Sequence, residues 1–128
     1  MGMMWLISLL FVVSCSNDER MIARVVEAEA AGEPFYGKYL VASVIVNRTN
    51  HPDFGDSVCE VLQRRNQFAR PKGSYSKESL LAAKLAMLTP RKGLFWFFNP
   101  ITATDRNFTS KLSGCITIGN HTFCSTCK

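Results

Sequence analysis

The sequence lacks the features that mark several common protein classes. Its 128 residues contain no internal repeat, no low-complexity tract and no apolar run long enough for a comfortable transmembrane helix. Cys124-x-x-Cys127 has no second closely spaced ligand pair that would complete a zinc site, although Cys115, Cys59 or His121 could add a ligand. We therefore expect one domain that folds around its own core, with no metal or cofactor.

Acidic residues are scarcer than basic ones. Lys and Arg total 15 against 10 Asp and Glu, which gives a formal net charge of +5. Such an excess suits an anionic partner, whether an envelope polymer, a lipid surface or a nucleic acid, and the charge alone does not choose among them.

Charged side chains are missing altogether from the first 14 residues. Residues 3–13 form an apolar run with the length of a signal-peptide core, and small residues follow it. Val12-Val13-Ser14-Cys15 resembles a bacterial lipobox, although no Lys or Arg precedes the run. We expect export to the cell envelope, with residues 1–15 outside the fold, a lipid anchor on Cys15 and a folded domain at 16–128. A buried N-terminal helix is the alternative.

The four remaining cysteines fit an oxidising compartment. Residues 113–125 predict a β-hairpin around Gly119-Asn120, with a register that places Cys115 opposite Cys124. We therefore expect a disulfide between these two, which leaves Cys59 and Cys127 for a second.

One carboxylate stands apart from the others. Glu29 continues the apolar stripe of Ile22 and Val25 at helical spacing, just before Gly32 and Pro34 end the helix. A carboxyl group facing a cleft wall is partly desolvated, and this favours the neutral form that a general acid needs. The alternative for a lone glutamate is a structural role with a buried partner.

The rest of the chain predicts an α+β fold, mainly helical, with a small antiparallel sheet near the C-terminus. Asn17 or Asp18 should cap a first helix that runs to about Ala31, and we expect a second helix from about Tyr36 to Arg48. Ser57 and Ser76 should cap two more, the last ending at Leu88. A strand over 94–98 precedes the hairpin, and the loop 64–76 is the longest.

Several separated segments together resemble one family. Ala28-Glu29-Ala30-Ala31-Gly32-Glu33-Pro34 is similar to the signature of bacterial cell-wall hydrolases of the spore-cortex-lytic (SleB/CwlJ) type. The likeness continues, in matching order, through the segments 44–48, 52–54 with 57–59, 67–68, 97–103 and 118–123. It spans about residues 20–124, and two positions depart from the family pattern: Ala31 replaces the usual arginine and Phe98 a common tyrosine.

The resemblance implies a lysozyme-like catalytic domain that cleaves the β-1,4 bond between N-acetylmuramic acid and N-acetylglucosamine in peptidoglycan. It maps the essential glutamate onto Glu29. Glycosidases normally use two carboxylates, and the candidates for a partner are Glu33, Asp53, Asp56 and Asp105. Because none is convincing, and because Glu33 reads as a structural residue tied to a backbone amide or an arginine, we expect a lytic transglycosylase that uses Glu29 alone.

Sugar rings would need flat apolar faces with amide groups beside them. The candidate substrate contacts are Tyr36, Gln67, Phe68, Phe98, Asn99 and His121, each with core packing or local bonding as its alternative. Asn47 and Arg48 read instead as a hydrogen-bonding group at a helix end. We expect a monomer that binds peptidoglycan glycan strands rather than nucleic acid. A hydrolytic muramidase, and an envelope lipoprotein that binds glycan without cleaving it, remain the alternatives.

Overall fold

The computed structural model describes residues 17–64 and 67–127. Over these residues the chain forms five helices and a three-stranded antiparallel sheet, which confirms the predicted α+β class. In chain order the elements are α1 (Asp18–Ala30), α2 (Phe35–Thr49), α3 (Val58–Gln63), α4 (Lys77–Leu88), β1 (Trp96–Phe98), α5 (Arg106–Thr109), β2 (Leu112–Ile118) and β3 (His121–Cys127).

Side-chain caps start the first, third and fourth helices where the sequence predicts them. Asn17 accepts the backbone N–H of Arg20 at 3.0 Å, and the Ser57 hydroxyl accepts that of Glu60 at 3.2 Å. The Ser76 hydroxyl does the same for Ser79. Each bond satisfies an amide that the helix itself leaves without a partner.

Helix α2 is the centre of the core. Its apolar residues Leu40, Val41, Val44 and Ile45 are fully buried. Ser43, on another face, is buried too, because α1 and α4 both pack against this helix. A helix covered on several sides loses the one-sided pattern of a surface helix. The second helix of the sequence is therefore the scaffold on which the other elements are assembled.

The hairpin has the predicted register. Ile118 pairs with His121, Ile116 with Phe123 and Cys115 with Cys124, and the disulfide Cys115–Cys124 is present. This disulfide removes the zinc alternative built on Cys124-x-x-Cys127, since the Cys124 thiol is already committed. Strand β3 is central, because β1 pairs with its other edge.

The prediction of a Cys59–Cys127 disulfide is wrong. Cys127 is an exposed free thiol at the end of β3, and Cys59 is disulfide-bonded without it. The physical reason is placement: Cys59 lies on α3, which packs against α1 and α2, whereas Cys127 ends a strand of the sheet. The helix α5, which breaks the connection between β1 and β2, is also not predicted by the sequence.

The predicted signal peptide and the lipobox cysteine Cys15 lie outside the described residues. Among the residues that the structure does describe, every helix is too short or too polar to cross a bilayer.

Candidate active site

Glu29 lies in the last turn of α1, which ends at Ala30 and is followed by Gly32 at φ +82°. Its side chain is partly buried, and its Oε1 accepts the backbone N–H of Ala69 at 2.7 Å. Burial raises the pKa of Glu29 above its ordinary value, and the Ala69 hydrogen bond opposes that rise without cancelling it. The group is thus kept closer to its protonated form than a surface glutamate.

The segment Gln67–Lys72 brings this amide to Glu29. The backbone N–H of Lys72 donates to the carbonyl of Arg24 at 3.2 Å, so the segment is tied to α1 at two points. Phe68 packs against the hydrophobic core and against Phe97 of β1, with ring centroids 6.0 Å apart. The loop is therefore held between the first helix and the sheet.

Arg48 joins the same loop to the residue that precedes β1. Its Nε donates to the carbonyl oxygen of Phe95 and its Nη1 to Oε1 of Gln67, both at 2.6 Å. The guanidinium also lies over the rings of Phe54 and Phe68 at 4.7 and 5.2 Å. Burial lowers the pKa of Arg48 to about 10, still well above neutrality, so the side chain remains charged.

Asn47 is the other half of this helix-end group. Its Nδ2 donates to the carbonyl oxygens of Arg91 and Leu94, at 2.8 and 2.9 Å. The interpretation of Asn47 and Arg48 as structural hydrogen-bonding residues is confirmed by these contacts.

Glu33 is a structural residue, as the sequence indicates. Its Oε1 accepts the backbone N–H of Asn120 at 2.7 Å and lies 3.3 Å from Nδ1 of His121. The side chain is only 8% exposed, and it connects the turn after α1 to the turn of the hairpin.

The other three acids have local roles or lie at the surface. Asp105 caps α5 by accepting the backbone N–H of Phe108 at 2.9 Å. Asp53 is highly exposed, 3.7 Å from His51, and Asp56 is exposed as well.

His121 is buried between aromatic rings and Glu33. Its ring centroid lies 5.4 Å from that of Phe97 and 6.0 Å from that of Phe123. Burial lowers the pKa of His121, and the nearby Glu33 carboxylate partly offsets the effect. The contacts run from Glu29 through Ala69, Phe68, Phe97 and His121 to Glu33, and so connect the helices to the sheet.

Two cavities flank this connection. One, of about 420 Å³, is lined by Arg48, Phe54, Gln67, Trp96, Phe97, Phe98, Phe108, Thr109 and Leu112. The other, of about 700 Å³, is lined by Leu62, Gln63, Arg64, Phe68, Ala69, Arg70 and Pro71. Ala69, whose amide binds Glu29, belongs to the larger one.

The candidate substrate contacts are only partly brought together. Gln67 and Phe98 line the smaller cavity and Phe68 the larger. Tyr36, in contrast, contacts Arg91 at 2.7 Å and the ring of Tyr39. The Asn99 side chain accepts the backbone amides of Ile101 and Thr102 and so holds a turn.

The sequence does not predict that the backbone N–H of Ala69 binds Glu29, or that Arg64 and Arg70 line a cavity beside it. A backbone N–H has no sequence signature, because any residue except proline supplies one. The basic character of the loop is visible in the sequence, but its position beside Glu29 depends on contacts 40 residues apart.

Comparison with known proteins places the chain among cell-wall enzymes. A spore cortex-lytic enzyme of Halalkalibacterium halodurans is 36% identical over 116 residues, covering 85% of this chain and 35% of the relative. The chain thus spans about a third of that relative's length.

Two solved structures share the fold. The catalytic domain of the Bacillus cereus SleB protein matches with a TM-score of 0.77 and 28% identity, over 85% of this chain and 90% of that one. The catalytic domain of the germination-specific lytic transglycosylase SleB from Bacillus anthracis matches with a TM-score of 0.74 and 29% identity, over 84% and 93%. Both matches cover most of this chain and nearly all of the solved domain.

The family model described as Cell Wall Hydrolase matches residues 32–124, which begin three residues after Glu29 and include Asn47, Arg48, the lining of both cavities and most of the hairpin. With nearly three quarters of its length matched by this model, the chain belongs to the cell wall hydrolase family.

Proposed function

We propose that this chain cleaves the β-1,4 bond between N-acetylmuramic acid and N-acetylglucosamine in peptidoglycan, as a lytic transglycosylase. The observation that carries the proposal is Glu29: a partly buried carboxyl at a helix end, with a raised pKa, hydrogen-bonded to the backbone of Ala69, which lines a cavity. Family membership and the name of the Bacillus anthracis structure support the same activity.

The reaction needs one group that first gives and then takes a proton. Protonated Glu29 donates its proton to the glycosidic oxygen while the bond from C1 of muramic acid to that oxygen breaks, leaving an oxocarbenium-like centre. The C6 hydroxyl of the same sugar then attacks C1, and ionised Glu29 accepts the hydroxyl proton. The products are a 1,6-anhydro end and a free 4-hydroxyl; the glutamate is protonated again.

The surroundings of Glu29 suit both halves of this cycle. Burial favours the acid before the bond breaks, and the Ala69 N–H stabilises the carboxylate that remains afterwards. The placement of Glu33 supports a route through one glutamate, because its carboxylate is already engaged by Asn120 and His121. A hydrolytic muramidase would normally need a second carboxylate, either as the base that activates water or as the nucleophile that attacks C1.

The smaller cavity is the proposed sugar-binding surface. Phe98 and Trp96 supply flat apolar faces, and Gln67 adds an amide whose oxygen is held by Arg48. Among the predicted substrate residues we retain Phe98 and Gln67 in this role, and Phe68 as a ring that lines the larger cavity. His121 is a buried neighbour of Phe97.

The test is cleavage of purified peptidoglycan by wild type and by Glu29→Gln. We expect the variant to fold and to lose about 10²- to 10⁴-fold in rate, the usual contribution of a general acid–base group. Glu19→Gln, at the start of the same helix, is the matched control and should keep full activity.

Mass spectrometry of the released fragments identifies the reaction. Anhydro ends support the transglycosylase, and reducing ends indicate a muramidase. Binding of peptidoglycan without release of any fragment, by both wild type and Glu29→Gln, would establish the glycan-binding alternative instead.

Export is the second part of the proposal. The Cys115–Cys124 disulfide supports an oxidising compartment, which agrees with the apolar run at residues 3–13. Radiolabelled palmitate incorporated by wild type and not by Cys15→Ser would establish the lipid anchor. Equal labelling of the two would contradict it.

A further inference from the structure

The larger cavity beside Glu29 is basic. Arg64 and Arg70 both line it and are both exposed, and neither pairs with a carboxylate among the described residues. Between Glu60 and Glu78 the sequence contains no acidic residue. The Arg64 guanidinium donates to the carbonyl oxygen of Asp53 at 3.3 Å, but within the part of the chain that the structure describes neither arginine has a carboxylate to neutralise it.

The position of the cavity relates this charge to the reacting bond. Ala69 lines the cavity and donates its N–H to Glu29, so the two arginines flank the segment that touches the catalytic carboxyl. The apolar wall of the cavity includes Phe68 and Pro71. A ligand here would carry a negative charge on a partly apolar body.

We propose that Arg64 and Arg70 bind a carboxylate carried by the muramic acid next to the bond that is cleaved. This inference rests on the proposed function, because it takes Glu29 as the point of cleavage. Muramic acid bears its peptide stem through a lactyl ether on C3, the same ring whose C1 reacts. Arginine is suited to the role, since its planar guanidinium binds carboxylates through two parallel hydrogen bonds.

The two possible sources of this carboxylate are the peptide stem and the lactyl group of a muramic acid that has lost its stem. Both present the same chemistry to the arginines. They differ in how far the charge lies from the sugar ring, so a set of defined oligosaccharides separates them.

The experiment measures binding by the full chain carrying Glu29→Gln, so that its outcome does not depend on cleavage. The probes are soluble glycan oligomers of equal length with free stem carboxylates, with amidated stems, and without peptide but with free lactyl carboxylates. Calorimetric titration gives the Kd for each. We expect a free-carboxylate probe to bind about fivefold to tenfold more tightly than the amidated one, with an affinity that falls as salt rises.

Arg64→Gln combined with Arg70→Gln should remove this preference and leave the affinity for the amidated probe unchanged. The control pair, Lys84→Gln with Lys92→Gln, removes the same net charge from exposed sites away from the cavity and should keep the preference. If the arginine variant loses the tighter binding of the stem-carboxylate probe over the amidated probe, the carboxylate belongs to the stem. If it loses the tighter binding of the lactyl probe, the carboxylate belongs to the lactyl group.

The proposal is overturned if the three probes bind equally. It is overturned too if the arginine pair keeps the preference, or if the lysine pair loses it to the same extent. Thermal melting of each variant verifies folding, which exposed side chains should not disturb. The proposed function is decided separately, by the fragments that the wild type releases.

Discussion

Replacing Arg48 with methionine tests whether the hydrogen bonds from Arg48 to Gln67 and Phe95 contribute to the stability of the fold. Methionine fills much of the same volume but donates no hydrogen bond. The substitution removes two short charge-assisted hydrogen bonds, to Phe95 and to Gln67, and two cation–π contacts. Such bonds contribute about 1.5–3 kcal/mol each, and each cation–π contact about 0.5–1 kcal/mol.

The free energy lost with these contacts is partly offset by a second effect of the substitution. Arg48 is only 6% exposed, so methionine also removes the cost of keeping a cation away from water. We expect a net decrease of about 2–4 kcal/mol in the free energy of unfolding. For a domain of this size that corresponds to a fall in Tm of about 10–20 °C.

Urea denaturation followed by circular dichroism measures this change. Lys111→Met, at an exposed position, is the control and should stay within about 0.5 kcal/mol of wild type. Arg48→Lys should fall between wild type and methionine, because one ammonium cannot reproduce the guanidinium fork. A decrease below about 0.5 kcal/mol for Arg48→Met would show that the bonds only balance the cost of burial, and would refute the reasoning.

Three further predictions concern single residues. Because burial raises the pKa of Glu29, its ionisation in the folded protein costs stability as pH rises above the ordinary value of 4.5. Glu29→Gln should therefore be more stable than wild type at pH 8, with the advantage vanishing below about pH 4.5; an advantage that grows on acidification contradicts this. Gly114→Ala should cost about 1–3 kcal/mol, more than Gly32→Ala, because both glycines have positive φ but only at Gly114 would a Cβ collide with a neighbour; equal melting temperatures for the two variants would refute it. Cys115→Ser should cost about 2–3 kcal/mol under non-reducing conditions, with no loss in Cys127→Ser; an equal loss for Cys115→Ser with reductant present excludes the disulfide as its cause.

Local signals in the sequence predict much of the fold. The caps at Asn17, Ser57 and Ser76 and the hairpin register are properties of neighbouring residues, and all four are confirmed. Helix α5 is not predicted from the sequence because four residues are too few to establish a helical period.

The site is less predictable, because it depends on contacts between distant parts of the chain. Helical spacing places Glu29 on the inner face of α1, but the amide that binds it is 40 residues away. The pairing of Cys59 fails for the same reason, since an even count of cysteines does not say which elements are adjacent. Resemblance to a family led to the role proposed for Glu29, and the structure shows its surroundings.

The hydrogen bond from Ala69 to Glu29 has a strength that changes during the proposed cycle. An amide binds an ionised acceptor more tightly than a neutral one, so its hold on the glutamate increases when the proton leaves and relaxes when a proton returns. Since the same loop carries Arg70 and Phe68, a change in the hold on Ala69 would act on the segment that forms the wall of the larger cavity. The loop would then be held most firmly while the sugar carries its positive charge, and most loosely when product departs.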